Sequence, residues 1–183
     1  MPAAVSYVPE IRDIAQYSKF QLVFDRVPTT TFFCKTAMIP GIINAEVRVE
    51  TPFSAFIVPG DKTDFGTLDI NFLVDTAYQS WNEVFKWLTA LTFPKDFSQY
   101  RNLQYLKKTT LIPTNVGIPR GAQYSDAALT IYTNKNNPTA RIKFKDCFPI
   151  TLGAIDFDVE KSAEDPVVCS ASFRYSLYEF EKL

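Results

Sequence analysis

The sequence predicts a mainly β fold, an antiparallel β-sandwich or barrel with one flanking α-helix. Several segments alternate apolar and polar residues with a period of two, as strands with one covered face do. One segment has the helical period, and the order of strands, helix and strands contains no βαβ repetition. The 183 residues include 16 Phe and nine Tyr, which pack well on a pleated sheet. With no linker or internal repeat, residues 1–183 are predicted to form a single domain.

The strands predicted before the helix cover residues 19–25, 31–37, 44–50, 51–58 and 68–74. Residues 44–50 alternate most clearly, because Ala45, Val47 and Val49 share one side. The other side carries Asn44, Glu46, Arg48 and Glu50. This pattern predicts a strand with one buried and one solvated face. A polar loop is predicted at Pro59, Gly60, Asp61, Lys62, Thr63 and Asp64, since Pro and Gly interrupt regular structure there.

The helix is predicted over residues 77–91, with Thr76 as its cap and Gln79 in the capping-box position. Trp81, Phe85 and Leu88 form one apolar stripe at helical spacing. We therefore expect Trp81 to lie in the core. Trp87 falls off this stripe and is expected to face a neighbouring surface.

Three strands are predicted after the helix, over residues 127–133, 140–147 and 167–180, with a hairpin turn at 133–138. Residues 97–124 have no clear pattern, and so long a connection in a compact domain is usually functional or interfacial. Residues 8–17 are expected to form a short helix or an arm.

The composition excludes several kinds of site. The chain has no histidine, so neither a Ser-His-Asp nor a Cys-His arrangement is possible and the commonest zinc ligand is missing. Cys34, Cys147 and Cys169 are far apart, lack CxxC spacing and are expected to be buried, reduced thiols. No catalytic, cofactor-binding or metal site is predicted. Neither a signal peptide nor a membrane-spanning run of about 20 apolar residues is recognised.

Charged clusters admit two interpretations each. Asp61 and Asp64, or Asp156 and Asp158, could bind a cation, but no calcium-loop spacing is present and solvated loop charge is favoured. Arg141, Lys143 and Lys145 form a basic row on one face of a predicted strand. This row could contact phosphate or could pair with acidic neighbours. With a net charge of −1, pairing with acidic neighbours is the favoured interpretation.

Several stretches resemble the T4-like contractile phage tail tube family and its tube-initiator relatives. They are FQLVF at 20–24, TFFCKTAMIPG at 31–41, PGDKT at 59–63 with the following strand and Trp-containing helix, KDCFPI at 145–150 and ASFRY at 171–175. Their order and spacing cover most of the chain. In the simplest tube subunits, the segment between helix and strand is shorter than residues 93–124, which leaves the choice between tube and initiator ring open.

The resemblance implies a structural subunit that is not an enzyme and needs no cofactor. Six copies would join strands into an inner β-barrel, and the rings would stack into a conduit for DNA delivery into the host. The implied partners are further copies of the chain, the tail sheath protein, the baseplate hub or initiator and the tape measure protein, with DNA only in passage. The implied location is the phage tail of the virion, assembled in the cytoplasm of the host bacterium. A tube protein of a related contractile injection particle is an alternative.

Under this interpretation, residues 59–64 are expected to reach a neighbouring subunit or ring. The residues expected to line the channel or its rim are Glu46, Arg48, Glu50, Ser170, Ser172 and Arg174. A different class of function, a carbohydrate-binding β-sandwich, would need aromatic side chains exposed together on one face. The size of the particles in solution distinguishes the two classes, because a tube protein forms rings or polymers whereas a binding module stays a small, monodisperse species.

Overall fold

The computed structural model describes residues 19–92, 94–100, 123–158 and 165–183. The strands are β1 (Phe20–Phe24), β2 (Cys34–Ala37), β3 (Ile42–Glu50), β4 (Ala55–Phe65), β5 (Leu68–Leu73), β6 (Ser125–Tyr132), β7 (Pro138–Leu152), β8 (Val168–Arg174) and β9 (Leu177–Lys182). The helices are α1 (Pro28–Phe32) and α2 (Gln79–Thr92). The predicted mainly antiparallel β fold with a flanking helix is confirmed. The short helix or arm expected at 8–17, and residues 101–122 of the unassigned segment 97–124, lie outside the described residues.

Seven strands form one sheet that is bent along its longest strand. The order is β1-β6-β7-β8-β5-β2, and β9 pairs with β7 as well. The first part of β7 pairs with β6 and β9, whereas its last part pairs with β8. We call β1, β6, the first part of β7 and β9 the β6 half, and the last part of β7 with β8, β5 and β2 the β8 half. The two halves share β7 as a common strand.

The core lies between the two halves and is closed by α2. Phe24 from β1 and Phe173 from β8 meet with ring centroids 4.8 Å apart. Trp87 from α2 contacts both rings, at 6.5 and 5.9 Å, and is 1% exposed. Its indole Nε1 donates to the carbonyl oxygen of Gln123 at 3.1 Å. A buried indole N–H that has a partner avoids the desolvation cost of an unpaired donor.

The short helix α1 is fixed to α2 by one carboxylate. The backbone N–H groups of Thr29 and Thr30 donate to Glu83 Oε2 at 3.1 and 3.2 Å. These are the N–H groups that a helix start leaves without intrahelical partners. The Thr30 hydroxyl also donates to the carbonyl oxygen of Ser80 at 2.7 Å. Residues 31 and 32 were predicted to begin a strand, which is wrong because the chain makes this helical turn first.

The buried face of α2 differs from the predicted one. Its buried residues are Ser80, Val84, Trp87 and Ala90. Trp81 is only half-buried and stacks on Phe85, which is 41% exposed. Trp81 packs at the margin of the core, so the expectation that it lies in the core holds only in part. The expectation that Trp87 meets a neighbouring surface is wrong, because Trp87 is a central core residue. Both tryptophans have apolar residues at helical spacing, so the pattern alone did not distinguish the two faces.

The start of α2 is capped by Asp75 and not by Thr76. The Ser80 backbone N–H donates to Asp75 Oδ1 at 2.8 Å. Because the charged carboxylate accepts hydrogen bonds from the backbone and side chain of Ser80, the pKa of Asp75 is lowered to about 2. Tyr78, with φ of 55°, precedes the first helical residue.

The strands after the helix are longer or more divided than predicted. β7 extends to Leu152, five residues beyond the predicted end. The single strand predicted over 167–180 is two strands, because the chain bends at Tyr175 and Ser176. The opposite bend in β7 lies at Asp146, whose φ is 57°.

Trp87→Ala should lower the free energy of unfolding by about 3–5 kcal/mol, because it removes the largest buried side chain of the core. Trp81→Ala is the matched control and should cost clearly less. Chemical denaturation of both variants measures the difference. Equal losses would show that the two tryptophans are buried alike.

Candidate functional site

An arm of two strands projects from the sheet. β3 and β4 pair only with each other, among the described residues, and every residue of β3 except Val49 is exposed. Ile42 pairs with Phe65 and Ala37 pairs with Ile70, so the arm continues the β2–β5 pair at the same register. Nine extended residues reach about 30 Å. We call β3, β4 and the turn between them the arm.

One face of the arm is apolar and uncovered. Val47 pairs with Val58 and Val49 with Phe56, and Val47 and Phe56 are each 52% exposed. The prediction that this side of residues 44–50 is buried is wrong for the isolated chain. An isolated two-stranded hairpin is marginally stable in water, and contiguous exposed apolar surface marks an interaction site.

The tip of the arm presents an aromatic side chain. Thr51 and Ser54 close the turn, since the Thr51 backbone N–H donates to the Ser54 carbonyl oxygen at 2.9 Å. Phe53 lies between them and is 100% exposed. The alternation of residues 44–50 predicted the apolar face, but only the pairing with 55–65 shows that no other described element covers it.

The predicted loop at Pro59, Gly60, Asp61, Lys62, Thr63 and Asp64 is wrong in its geometry, because all six residues belong to β4. Asn44 pairs with Thr63 and Glu46 with Pro59, so three residues of β4 oppose the single residue Ala45. This is a β-bulge, which bends and twists a strand pair. A Cβ on Gly60 would lie 2.9 Å from the Ala45 carbonyl oxygen, so the bulge requires glycine.

The base of the arm is held against the β8 half. Arg174 Nη1 donates to the Phe65 carbonyl oxygen at 2.9 Å and lies 4.0 Å from the Asp64 carboxylate. The Phe65 ring contacts Tyr175 and Tyr178 at 6.1 and 5.5 Å. These contacts fix the direction in which the arm leaves the sheet.

The six residues predicted to line a channel fall into two groups that the structure does not bring together. Ser170, Ser172 and Arg174 lie on the outward face of β8, where Asn71 and Asp69 of β5 are the partners of the two serines. This face is polar and mostly uncharged. Glu46, Arg48 and Glu50 lie on the arm, in the separate two-stranded sheet. Arg48 and Glu50 form an exposed ion pair at 2.7 Å.

The basic row of Arg141, Lys143 and Lys145 lies on the outward face of the β6 half and is neutralised there. Lys143 pairs with Glu181 at 2.8 Å, and Lys145 pairs with Glu179. The hydrogen bond from Lys143 and the positive charges of Lys143 and Arg141 lower the pKa of Glu181. The interpretation as a face paired with acidic neighbours is confirmed.

The described cysteines have raised pKa values, and the described aspartates considered as cation ligands are exposed. Burial raises the pKa of Cys147 to about 12 and that of Cys34 to about 11, so both thiols stay protonated at neutral pH. Cys147 and Cys169 are buried and Cys34 is half-buried, and all three are free. Asp61, Asp64, Asp156 and Asp158 are exposed. No group of three Cys, Asp or Glu side chains in the described ranges could hold a metal ion.

The exposed aromatic side chains are distributed over the molecule. Phe32 lies on α1, Phe53 and Phe56 on the arm, Phe85 on α2 and Phe180 on β9. A carbohydrate-binding face would need such rings side by side, so this distribution disfavours that alternative. No described helix is long and apolar enough to span a membrane.

Neither a protein-family model nor a curated protein matches the sequence. Solved structures match the fold over nearly the whole chain. The cryo-EM structure of the cap that terminates the tube of the anti-feeding prophage has a TM-score of 0.63 at 11% identity, covering 99% of each chain. A chain of the sheath–tube complex of the PVC extracellular contractile injection system in its extended state has a TM-score of 0.57 at 10% identity, covering 94% of this chain and 95% of that one.

A chain of the six-fold symmetrised baseplate of the anti-feeding prophage has a TM-score of 0.52 at 9% identity, covering 93% of this chain and 97% of that one. At these identities the likeness shows a shared fold. The proteins that share it are components of contractile injection particles.

Removing the acidic partners of the basic row should expose a DNA-binding surface. The double variant Glu179→Gln/Glu181→Gln should bind duplex DNA at low salt, with a log–log salt slope of about −2.7 if three phosphates are neutralised. The unaltered protein should show no DNA retention at physiological salt. The control Glu46→Gln/Glu50→Gln makes the same charge change on the arm and should leave retention unchanged. Retention of DNA by the unaltered protein would show that Glu179 and Glu181 do not neutralise the basic row.

Proposed function

We propose that this chain is a structural subunit of the tube of a contractile tail or contractile injection particle, in which hexameric rings stack into a conduit. The observation that carries the proposal is the fold shared with a tube-terminating cap over 99% of both chains. In the phage version of this function, the conduit delivers DNA into the host. A tube-initiator ring of the baseplate is the alternative within the same class. The whole chain acts as one domain, and the role requires no enzymatic activity.

The outward face of the β8 half suits the wall of such a conduit. Ser170 and Ser172 present small hydroxyl groups, and the Asn71 amide donates to the Thr36 hydroxyl at 2.8 Å on the same face. Arg174 is directed to the base of the arm by its bond to Phe65. A wall with few free cations neutralises few phosphates, so DNA would slide along it without being retained.

The number of strands in the β8 half gives a ring wide enough for DNA. The β8 half contributes four strands, so six copies would supply about 24 strands. At a strand spacing of about 4.8 Å, the ring has a circumference of about 115 Å and a backbone radius of about 18 Å. After side chains are subtracted, that ring still admits a DNA duplex. The baseplate of the anti-feeding prophage, one chain of which shares this fold, is six-fold symmetrised, which supports this number of copies.

The function implies partners beyond the chain itself. A sheath protein would surround the tube, and the baseplate hub or initiator and the tape measure protein would meet its end or its interior. The fold is shared with a chain of a sheath–tube complex and with one of a baseplate, which supports this environment. The particle would assemble in the bacterial cytoplasm and function as part of a phage tail or an injection particle.

The arm is the expected contact between copies. None of the described residues outside the arm covers its apolar face, and a neighbouring copy would bury that face. The exposed Asp61 and Lys62 of the bulge also lie on the arm. Residues 59–64 are therefore proposed to meet a neighbouring copy as part of strand β4 and not as a loop.

Phe56→Ser should abolish ring formation and leave the subunit folded, because Phe56 is exposed and contributes nothing to the core. The adjacent Ile57, 66% exposed on the opposite face of the arm, supplies the control Ile57→Ser, which should still assemble. Light scattering measures the size and circular dichroism the fold. Assembly of Phe56→Ser at normal concentration would exclude the apolar face as a contact.

Negative-stain electron microscopy of the purified protein tests the function itself. Rings with an open centre, or tubes, are expected. A protein that stays monomeric by light scattering at high concentration would contradict the proposal.

A further inference from the structure

The β-bulge divides the arm into two parts. Residues 42–44 pair with 63–65 on the side of the sheet, and we call these residues the basal arm. Residues 46–50 pair with 55–59 on the far side, and we call residues 46–59 the distal arm. Between the two parts, residues 60–62 of β4 oppose Ala45 of β3. The bulge therefore adds two residues to one strand at a single point of the arm.

The basal arm is anchored to the rest of the chain. The Phe65 ring packs against Tyr178, with ring centroids 5.5 Å apart. The Tyr178 hydroxyl also donates to the Pro40 carbonyl oxygen at 3.3 Å, just before the basal arm begins. Within the basal arm, the Thr63 hydroxyl donates to Asn44 Oδ1 at 2.9 Å across the strand pair. These contacts hold the basal arm at one angle to the sheet.

The distal arm has no such anchor among the described residues. Its hydrogen bonds outside the strand ladder close the turn between Thr51 and Ser54, and its ion pair joins Arg48 to Glu50. These contacts all lie within the distal arm itself. Every residue of the distal arm is exposed except Val49, which is half-buried. A segment with few buried contacts to the rest of a molecule moves at a low cost in free energy.

The bulge that joins the two parts is weakly constrained. Pro59 has no backbone N–H to donate to the ladder, and Gly60 has the widest range of backbone angles because it lacks a side chain. Asp61 and Lys62 are exposed, and the extra residues of a bulge locally disrupt the ladder. The strand pair is thus least constrained where the anchored part of the arm ends.

We propose that the bulge at residues 60–62 is a hinge, about which the distal arm turns as one unit in the free subunit until a neighbouring copy fixes its angle. Hinges consist of a few residues that absorb a large change in backbone angles. The inference rests on the proposed function, since the neighbour is a second copy in the tube. It adds the place at which the arm bends and the part of the arm that moves.

The whole apolar face of the arm lies beyond the hinge. Val47, Val49, Phe56 and Val58 all belong to the distal arm, so a turn about the bulge redirects this face and leaves its shape unchanged. A tube of the proposed kind begins on a baseplate, whose rings differ from its own. A hinged face meets neighbours that stand at different angles, whereas a rigid face fits a single angle.

Pairs of spin labels measure the hinge in the free subunit. In a Cys34→Ser background, Lys86→Cys on α2 is combined either with Phe53→Cys at the tip or with Ile43→Cys in the basal arm. All three sites are exposed, and the other two native thiols are buried. Double electron–electron resonance on the monomeric protein should give a distance distribution about twice as wide for the tip as for the basal arm. Equal widths would overturn the hinge.

Deletion of Asp61 and Lys62 tests whether the motion occurs at the bulge. Removing two residues leaves Gly60 opposite Ala45 and restores one-to-one pairing, and the apolar side chains stay on one face because their period is two. The tip distribution of this variant should narrow to the width of the basal arm. Asp61→Asn/Lys62→Gln is the matched control, which keeps the bulge and should leave the distribution wide. A tip that stays wide after the deletion would show that the whole arm flexes, against the proposal.

Assembly of the same two variants tests the role of the hinge. A bulge bends its strand pair, so the deletion should straighten the arm, redirect its apolar face and raise the protein concentration needed for assembly at least tenfold. The matched control should assemble as the unaltered protein does. Light scattering measures assembly, and circular dichroism checks that both subunits fold alike. Assembly of the deletion variant at the normal concentration would exclude a role for the hinge.

The outcomes separate the hinge from the proposed function. Rings formed by an unaltered protein whose tip distribution is narrow would overturn the hinge and leave the tube function standing. A wide tip distribution in an unaltered protein that stays monomeric at high concentration would overturn the tube function, and with it the role of a neighbouring copy in fixing the arm.

Discussion

β7 pairs with the last part of the chain in one register from Ala140 opposite Lys182 to Pro149 opposite Phe173. After a register shift between Pro149 and Thr151, the pairing ends with Leu152 opposite Ala171. Asp146 and Ser176 mark the bend in this ladder: the Ser176 backbone N–H donates to the Lys145 carbonyl oxygen at 2.9 Å, and the Asp146 backbone N–H donates to Asp126 Oδ1 at 3.2 Å. Because β8 and β9 pair with β7 in the same register on the two sides of this bend, β6 and β1 extend from one part of the ladder and β5 and β2 from the other. The two apolar faces that enclose the core are thus parts of one folded sheet.

The same ladder determines where the arm projects. β5 pairs with β8, and β2 pairs with β5. The arm continues β2 and β5 beyond the sheet. Arg174, at the end of β8 next to the bend, holds the carbonyl of Phe65 where the arm begins. The core, the polar outward face of β8 and the direction of the arm therefore depend on a single strand pairing.

The alternation of residues was sufficient to predict β1, β3, β5 and β6, because their apolar side chains recur every second residue. It failed where the chain departs from a uniform period. Gly60 and its neighbours resemble a loop in composition, yet the strand accommodates them as a bulge. Trp81 and Trp87 both lie on apolar helical stripes, and only the position of Phe24 and Phe173 decides which ring is buried.

The candidate surfaces could be predicted only in part, for a related reason. Sequence alternation shows that Val47 and Val49 share a face, but whether that face is covered depends on long-range topology. The neutralisation of Lys143 and Lys145 likewise depends on β9 lying beside β7. Both features require the pairing of segments distant in sequence, which a local pattern does not contain.

The arm has no core of its own, and this couples its order to its contacts. The bonds at its base, from Arg174 to Phe65 and from the Gly66 backbone N–H to the Gly41 carbonyl oxygen at 3.0 Å, fix the first residues of the hairpin. Towards Phe53 the strand pair is the only contact among the described residues that opposes the conformational entropy of the chain, which is about 1–2 kcal/mol per ordered residue. Burial of the apolar face by a second copy would supply the missing stabilisation. Folding of the arm and assembly would then be one equilibrium, so a substitution at the tip would change both even when it leaves the core intact.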